Sequence, residues 1–453
     1  MLKRVLIANR GEIACRIIRA CQNLGVETVA VYGLADSESL HVRMADRSVC
    51  IGPGPNSDTY LNMPNVLMAA LTTQCDAIHP GYGYFSEQSQ FADACHAVGL
   101  KFIGPPVEAI SRMGDKAAAK AAAIRAHCPV VPGSEGCVHH LEDALEIARE
   151  IGFPVLVKAA AGGGGRGIRK VAREEEMDEA FKIASQEALA SFGSGDLYIE
   201  KLIESPRHVE IQVLADAFGN CIHLGERECS VQNLRHQKMI EEAPCAVIDD
   251  ELRRKMGESA VRLAKSVGYV NAGTVEFLLD SSNNFYFIEM NTRLQVEHPI
   301  TEQVTGVDIV EQMLRIASGE ELPFEQHDIA IQGHSIEARI TAQNPAKEFA
   351  PSCGKITHWA PPSGPHIRLE THVYKGFAVS PFYDPMIAKL IVSDSDRQSC
   401  VRSLARALEQ FDVQGIHTNI PFLRTLVATP EFVSGDVDTQ FVARYVSEPS
   451  PVA

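Results

Sequence analysis

Basic residues and long hydrophobic stretches are both scarce in this sequence. Its 42 lysines and arginines against 58 aspartates and glutamates give a formal charge of −16 over 453 residues. A nucleic-acid-binding protein needs a basic footprint, so this balance argues against such partners, but it allows a local basic pocket for a small anion. No run of about 18 apolar residues occurs, so no membrane span is expected. The first residues lack an apolar signal region, so secretion is not expected either.

Several cysteine and glycine motifs are also absent. The twelve cysteines include no Cys-X-X-Cys pair, which favours reduced, mostly buried thiols and a cytoplasmic protein over a disulfide framework. No Gly-Lys-Ser or Gly-Lys-Thr occurs, so a Walker-type phosphate loop is excluded. The loop at 9–12 lies where a dinucleotide-binding loop would lie, but it lacks the required glycines. A nicotinamide cofactor is therefore not expected.

The chain is long enough for about three domains. Residues 5–33 alternate as strand, helix and strand, and similar apolar runs continue to about residue 103, which predicts an open parallel α/β sheet. Residues 204–330 have the pattern of several antiparallel strands. Residues 332–447 begin with strands and end in helix.

A glycine-rich segment lies between two strand-like segments. The strand 154–158 leads into Gly162–Gly167, and 168–171 is strand-like again. Successive glycines let backbone N–H groups approach phosphate oxygens, and the ammonium of Lys158 can neutralise phosphate charge. The pattern predicts a flap over a nucleotide; a flexible hairpin tip is the alternative.

Two glutamates are predicted to face each other across a hairpin. The segments 274–279 and 285–291 flank a polar turn. If the hairpin is symmetric, Glu276 lies opposite Glu289, and like charges at that position are destabilising. A bound cation would reverse the sign, and magnesium is typically held by one or two carboxylates plus phosphates. Strand alternation places Asn291 on the face of Glu289. Two solvated glutamates are the alternative.

Further polar residues predict an anion site. The tract 235–238 is basic, and with Arg293 it favours an oxyanion clamp over a solvated turn. Glu297 follows Arg293 by four residues and is a candidate general base. Arg339 lies in a segment of alternating polar and apolar residues, which directs it to the polar face.

Together these segments resemble biotin carboxylase, a member of the ATP-grasp superfamily. The segments that carry the resemblance are 7–13 (IANRGEI), 79–83 (HPGYG), 113–116 (MGDK), 162–167 (GGGGRG), 235–238 (RHQK) and 289–301 (EMNTRLQVEHPIT). The resemblance implies an α/β fold with an N-terminal open parallel sheet domain over 1–114. An ATP-grasp domain over 115–331, with a mobile lid at 131–203, and a mixed α+β C-terminal domain over 332–447 would follow.

The resemblance also implies roles for individual residues. Nucleotide-binding positions would be Lys116, Lys158, Gly164, Gly165, Glu200, Lys201, Leu202, Ile203, His208, Gln232, His236, Glu276 and Glu289. Two magnesium or manganese ions would be held by Glu276, Glu289 and Asn291. Bicarbonate would contact Lys238, Arg293, Gln295 and Val296. Glu297 would be the base that deprotonates bicarbonate, assisted by Lys238 and Arg293, and Arg339 would bind biotin and stabilise its enolate.

The activity implied is ATP-dependent carboxylation of biotin by bicarbonate, through carboxyphosphate, while the lid excludes water. No Ala-Met-Lys-Met biotin-acceptor motif occurs, so we expect the biotin on a separate carrier protein, with carboxyltransferase subunits as further partners and a homodimer as the assembly. This favours the first half-reaction of acetyl-CoA carboxylase, which supplies malonyl-CoA for fatty acid synthesis. A subunit of another acyl-CoA or pyruvate carboxylase is the alternative.

Two other function classes compete with this interpretation. One is a different ATP-grasp enzyme, such as a carboxylate–amine ligase or a part of carbamoyl-phosphate synthase; the C-terminal segment that carries Arg339 argues against it. The other is a nucleotide-binding regulatory subunit without turnover, and the retention of Glu276, Glu289 and Glu297 argues against that.

Overall fold

The computed structural model describes residues 2–159, 168–192 and 195–446. The chain divides into two compact units. The first comprises Met1–Cys128, Arg207–Phe277 and Glu289–Ala453, and the second comprises Pro129–Pro206 and Leu278–Ile288. The predicted nucleotide-binding glycines Gly164 and Gly165 lie outside the described residues.

The first unit begins with a five-stranded parallel sheet. In spatial order its strands are Arg47–Gly52, Glu27–Gly33, Arg4–Ile7, Ala77–His79 and Lys101–Phe102. The helices of this region are Gly11–Asn23, Leu40–Met44, Met63–Thr72, Ser89–Ala97, Val107–Gly114 and Lys116–Arg125. Ile13, Ile17 and Ile18 recur at helical spacing and are fully buried in the core. The predicted parallel sheet is confirmed.

A second, larger sheet of eight strands carries most of the polar residues discussed below. In spatial order its strands are Phe285–Asn291, Asn271–Leu279, Arg207–Ala215, Cys221–Gln232, Lys238–Ala243, His334–Thr341, Met386–Asp394 and Ile367–Thr371. The pairings from Arg207–Ala215 to Ile367–Thr371 are antiparallel. The strand Lys238–Ala243 hydrogen-bonds to His334–Thr341, so the sheet continues across residue 331. The domain boundaries given above stay predictions.

Helices cover this sheet and complete the core. They are Asp250–Ser266, His298–Thr305, Ile309–Ala317, Arg397–Gln410, Ile420–Val427, Pro430–Ser434 and Phe441–Val446. Three short antiparallel pairs lie nearby: Gln343–Asn344 with Ala350–Pro351, Gly354–Lys355 with Ala378–Val379, and His358–Ala360 with Asp412–Gln414. Ile336 and Ile340, both on the strand His334–Thr341, belong to one buried cluster with Leu404 of the helix Arg397–Gln410. This packing anchors the strand.

The second unit contains a three-stranded antiparallel sheet. The strand Val155–Ala159 lies between Ile168–Val171 and Leu197–Lys201, and the helices are Leu141–Ile151 and Met177–Phe192. The strands predicted on both sides of the glycine segment are therefore present and pair with each other.

Two composition-based predictions also have an outcome. All twelve cysteines are free and eight of them are buried, as the absence of Cys-X-X-Cys pairs predicted. Within the described part of the chain, no helix is long and apolar enough to cross a membrane.

Candidate active site

The ammonium of Lys238 lies at the centre of a buried carboxylate cluster in the first unit. Its Nζ donates to Glu210 Oε2 at 2.6 Å, to Glu297 Oε1 at 2.7 Å and to Glu276 Oε1 at 3.1 Å. The glutamate side chains are at most 7% exposed, and that of Lys238 is 13% exposed. Three acidic groups from separate segments are thus joined by one cation.

The neighbouring cations keep Glu297 and Glu276 ionised. Burial alone would raise the pKa of Glu297, but Lys238, Arg339 and Arg227 hold it well below its ordinary value. Burial opposes ionisation of Glu276 as well, and Lys238 is the main cation that lowers its pKa. Glu297 therefore presents a carboxylate, the form that can accept a proton.

Arg339 bridges two buried carboxylates. Its Nε donates to Glu241 Oε1 at 2.6 Å, and its Nη2 donates to Glu297 Oε2 at 3.0 Å. Burial raises the pKa of Glu241 to about 7. Two charge-assisted hydrogen bonds fix the plane of the guanidinium group, so Arg339 is oriented toward the predicted base and is not an ordinary surface arginine.

The carboxylate–amide group, which comprises Glu276, Asn291 and Glu289, adjoins the cluster. Asn291 Nδ2 donates to Glu276 Oε1 at 2.9 Å, and His208 Nε2 lies 2.8 Å from Glu276 Oε2. Gln232 Nε2 lies 2.9 Å from the other ring nitrogen of His208. Desolvation and the carboxylate of Glu276 raise the pKa of Glu289.

The predicted hairpin is confirmed, since its two strands are neighbours. The direct pairing of Glu276 with Glu289 stays a prediction.

This donor set fits a divalent cation. Carboxylate and amide oxygens are the ligands that magnesium and manganese prefer, and a cation between Glu276 and Glu289 would offset the repulsion that raises the pKa of Glu289. Oxygen atoms of both glutamates and of Asn291 could hold such an ion.

Arg293 connects this group to the predicted anion contacts. Its Nε donates to Glu87 Oε2 at 2.8 Å, its Nη2 to Asn291 Oδ1 at 3.0 Å and its Nη1 to Gln295 Oε1 at 2.9 Å. Gln295 Nε2 in turn donates to Glu276 Oε1 at 3.3 Å. The structure thus brings Arg293 and Gln295 to the carboxylate that also contacts Lys238.

Other predicted site residues lie apart from the cluster. Arg235 and His236 are exposed on a turn, where His236 has a φ of 58°, so of the basic tract 235–238 Lys238 reaches the buried carboxylates. The part of Arg235 in an anion clamp stays a prediction. Lys116 is exposed at the first position of its helix. Its positive charge partly offsets the rise in the pKa of Glu289.

The remaining predicted nucleotide contacts belong to the second unit. Lys158 Nζ donates to Glu200 Oε2 at 2.5 Å. Lys201 Nζ donates to the carbonyl oxygens of Gly152 at 2.9 Å and Phe153 at 3.0 Å. Leu202 and Ile203 follow the strand Leu197–Lys201 and are half-buried. The nucleotide-binding roles of these residues stay predictions.

Comparison with known proteins identifies the family. The model of the biotin carboxylase N-terminal domain matches residues 1–110, the ATP binding domain of the carbamoyl-phosphate synthase L chain matches 115–325, and the biotin carboxylase C-terminal domain matches 337–444. Biotin carboxylase 1 of Bacillus subtilis is 51% identical over 98% of this chain and 99% of its own length. The chain belongs to the biotin carboxylase family.

Two further relatives are named as parts of other carboxylases. The alpha subunit of mitochondrial methylcrotonoyl-CoA carboxylase of Dictyostelium discoideum is 51% identical over 97% of this chain and 63% of its own length. The biotin carboxylase domain dimer of 2-oxoglutarate carboxylase of Hydrogenobacter thermophilus, solved with MgADP, ADP and bicarbonate, is 48% identical over 99% of both chains, with a TM-score of 0.90. The predicted resemblance and fold class are confirmed.

Sequence reasoning missed Arg227, a buried arginine that hydrogen-bonds to Glu210 of the carboxylate cluster around Lys238. Its Nε donates to Glu210 Oε1 at 2.6 Å, its Nη1 to Gln212 at 2.8 Å and Thr301 at 2.9 Å, and its Nη2 to Thr274 at 3.1 Å. The side chain is fully buried. The available signal was an arginine between two glutamates, Glu226 and Glu228, within a strand, since charged residues must be paired when buried.

Glu241 and Glu337 form a second buried acidic pair behind Arg339. They lie opposite each other in the antiparallel register, and both are almost fully buried. Among the described residues, neither carboxylate oxygen of Glu337 has a hydrogen-bond partner. Burial raises the pKa of Glu337 well above its ordinary value, and Glu241 raises it further. Burial therefore favours the protonated form of Glu337 in the folded chain.

We expect Glu337→Gln to become more stable relative to the wild type as the pH rises from 5 to 8. The unfolded chain releases the proton of Glu337 near the ordinary glutamate pKa, about 4.3, while burial in the folded chain raises that pKa and holds the proton to a higher pH. Wild-type stability therefore falls as the pH rises above the unfolded-state pKa, and the variant lacks this loss. The difference in Tm between the two proteins, measured across this range, checks the sign. A difference that does not change with pH would contradict it.

Proposed function

We propose that this chain uses ATP and bicarbonate to carboxylate biotin. The observation that carries the proposal is the buried, ionised carboxylate of Glu297, which accepts hydrogen bonds from Lys238 at 2.7 Å and Arg339 at 3.0 Å. A carboxylate held between two cations presents a proton acceptor beside groups that attract an anion. Membership of the biotin carboxylase family and the bound MgADP and bicarbonate of the Hydrogenobacter thermophilus relative support the same reaction.

In the first step Glu297 removes the proton of bicarbonate. Lys238 and Arg293 bind the anion, and Gln295 and Val296 line its site. The positive charge of Lys238 and Arg293 stabilises the doubly charged oxyanion more than the singly charged bicarbonate. This difference favours transfer of the proton to Glu297. A bicarbonate oxygen then attacks the γ-phosphorus of ATP, the bond to the bridging oxygen breaks, and ADP and carboxyphosphate form.

The carboxylate–amide group has a supporting role in this step. Glu276, Glu289 and Asn291 would hold two magnesium or manganese ions, which when bound offset the negative charge of the phosphates. His208 and Gln232 would orient Glu276, because His208 hydrogen-bonds to both side chains. We propose Lys116 and His236 as further nucleotide contacts.

In the second step carboxyphosphate breaks into carbon dioxide and phosphate. The phosphate accepts the ureido proton of biotin, and the resulting enolate attacks carbon dioxide to form carboxybiotin. Arg339 stabilises the negative oxygen of the enolate, since its guanidinium donates hydrogen bonds in a fixed plane. Glu241 holds that plane through the 2.6 Å hydrogen bond to Arg339 Nε.

We infer that the biotin is carried by a separate carrier protein and that a carboxyltransferase completes the reaction. Acetyl-CoA carboxylase is the favoured parent complex, in the cytoplasm and with a homodimer of this chain; another acyl-CoA or pyruvate carboxylase is the alternative. The relative from Dictyostelium discoideum, named as a methylcrotonoyl-CoA carboxylase subunit, is the observation that keeps the alternative open. Isolation of the biotinylated partner with its carboxyltransferase distinguishes them.

We expect Glu297→Gln to lower bicarbonate-dependent ATP cleavage with free biotin by about 10²–10⁴-fold, because the amide cannot accept the proton. Incorporation of labelled bicarbonate into an avidin-sensitive product and release of phosphate are the two measurements. Glu258→Gln is the control, since Glu258 is half-exposed in a helix-surface pair with Arg254. Wild-type turnover by Glu297→Gln would show that another group is the base, whereas an inactive wild-type protein would refute the proposed reaction.

We expect Glu289→Gln to need more magnesium than the wild type. The substitution removes one anionic ligand, so the metal concentration for half-maximal ATP cleavage should rise about tenfold or more, while excess metal restores part of the rate. Titration of activity with magnesium after treatment with a chelator measures this. An unchanged magnesium requirement would exclude Glu289 as a ligand.

A further inference from the structure

A fully buried lysine lies behind the predicted bicarbonate contacts. Lys389 is 0% exposed and lies in the strand Met386–Asp394, opposite Arg339 in the antiparallel register. Its Nζ donates to the main-chain oxygen of Val296 at 2.7 Å and lies 3.2 Å from Glu12 Oε2. A buried ammonium is costly unless it is paired and hydrogen-bonded, and here both conditions are met.

The partner carboxylate connects Lys389 to a third segment. Glu12 lies in the first turn of the helix Gly11–Asn23 and is 2% exposed. The hydroxyl group of Tyr82 donates to Glu12 Oε1. The ammonium thus joins the first helix to the segment that carries Val296, and Glu12 in turn joins them to Tyr82, in the segment that follows the strand Ala77–His79.

The segment around Val296 carries the functional groups of the site. Val296 lies between Gln295, which contacts Arg293 and Glu276, and Glu297, the proposed base. A hydrogen bond to the Val296 carbonyl fixes the peptide plane that joins Val296 to Glu297. Hydrogen bonds from charged donors are stronger than those from neutral donors, so Lys389 restricts this plane more than a neutral side chain would.

We propose that Lys389 is a positioning residue of the bicarbonate site and acts through the main chain of Val296. This inference rests on the proposed function. Lys389 does not contact substrate; its ammonium holds the segment 295–297 so that Gln295 and Glu297 face the same anion. Glu12 supplies the negative charge that makes the buried ammonium tolerable.

The test separates positioning from charge balance. We expect Lys389→Met to raise the KM for bicarbonate by between about ten- and a hundredfold and to lower kcat, while the KM for ATP stays within about twofold. The same substitution leaves the buried Glu12 without the cation of Lys389, so the Tm should also fall. The double variant Glu12→Gln/Lys389→Met removes both charges, and we expect it to recover most of the Tm but not the KM for bicarbonate.

The double variant decides the interpretation if Lys389→Met alone does not fold. Recovery of both Tm and the KM for bicarbonate would overturn the inference, because Lys389 would then serve only to balance Glu12. A wild-type KM for bicarbonate in Lys389→Met would overturn it as well. Lys255→Met is the matched control, since Lys255 is half-exposed and pairs with Glu251 on a helix surface. A wild-type protein without bicarbonate-dependent ATP cleavage would instead refute the proposed function.

Discussion

The rest of the site depends on the buried ion pairs of Lys238. Its ammonium contacts Glu210, Glu276 and Glu297, which come from three segments of the chain. Three carboxylates this close would repel one another strongly in a poorly hydrated site, so the cation is required for the strands to meet there. Lys238 is also one of the two cations that we propose as contacts of bicarbonate.

The large antiparallel sheet supplies this geometry. Neighbouring strands place the acidic Glu241 opposite the acidic Glu337 and the basic Arg339 opposite the basic Lys389. Along the strand His334–Thr341, Arg339 follows Glu337 by two residues, so an acidic and a basic side chain lie on the same face of the sheet. Apolar residues on the same strands, such as Ile336 and Ile340, are buried in the core. The core therefore holds the polar residues in register, and the order of the site follows from packing and ion pairing together.

Short-range patterns predicted much of this arrangement, and long-range pairing accounts for what they missed. The alternation of apolar runs predicted the parallel sheet, and the hairpin pattern and the resemblance placed Glu276, Glu297 and Arg339 in the site. Glu210 and Arg227 were not foreseen, because their importance comes from contacts between strands whose register no local pattern specifies. Arg235 adjoins Lys238 in sequence, but the turn leaves it exposed, so its part in an anion clamp stays a prediction.

We propose that bicarbonate, activated by Glu297 between Lys238 and Arg339, attacks the γ-phosphorus of ATP. The most direct test follows bicarbonate labelled with ¹⁸O through a single turnover with biotin, using mass spectrometry of the phosphate released. Attack by bicarbonate transfers one of its oxygen atoms to that phosphate, so we expect phosphate that carries one labelled oxygen. Phosphate whose new oxygen comes only from water would contradict it.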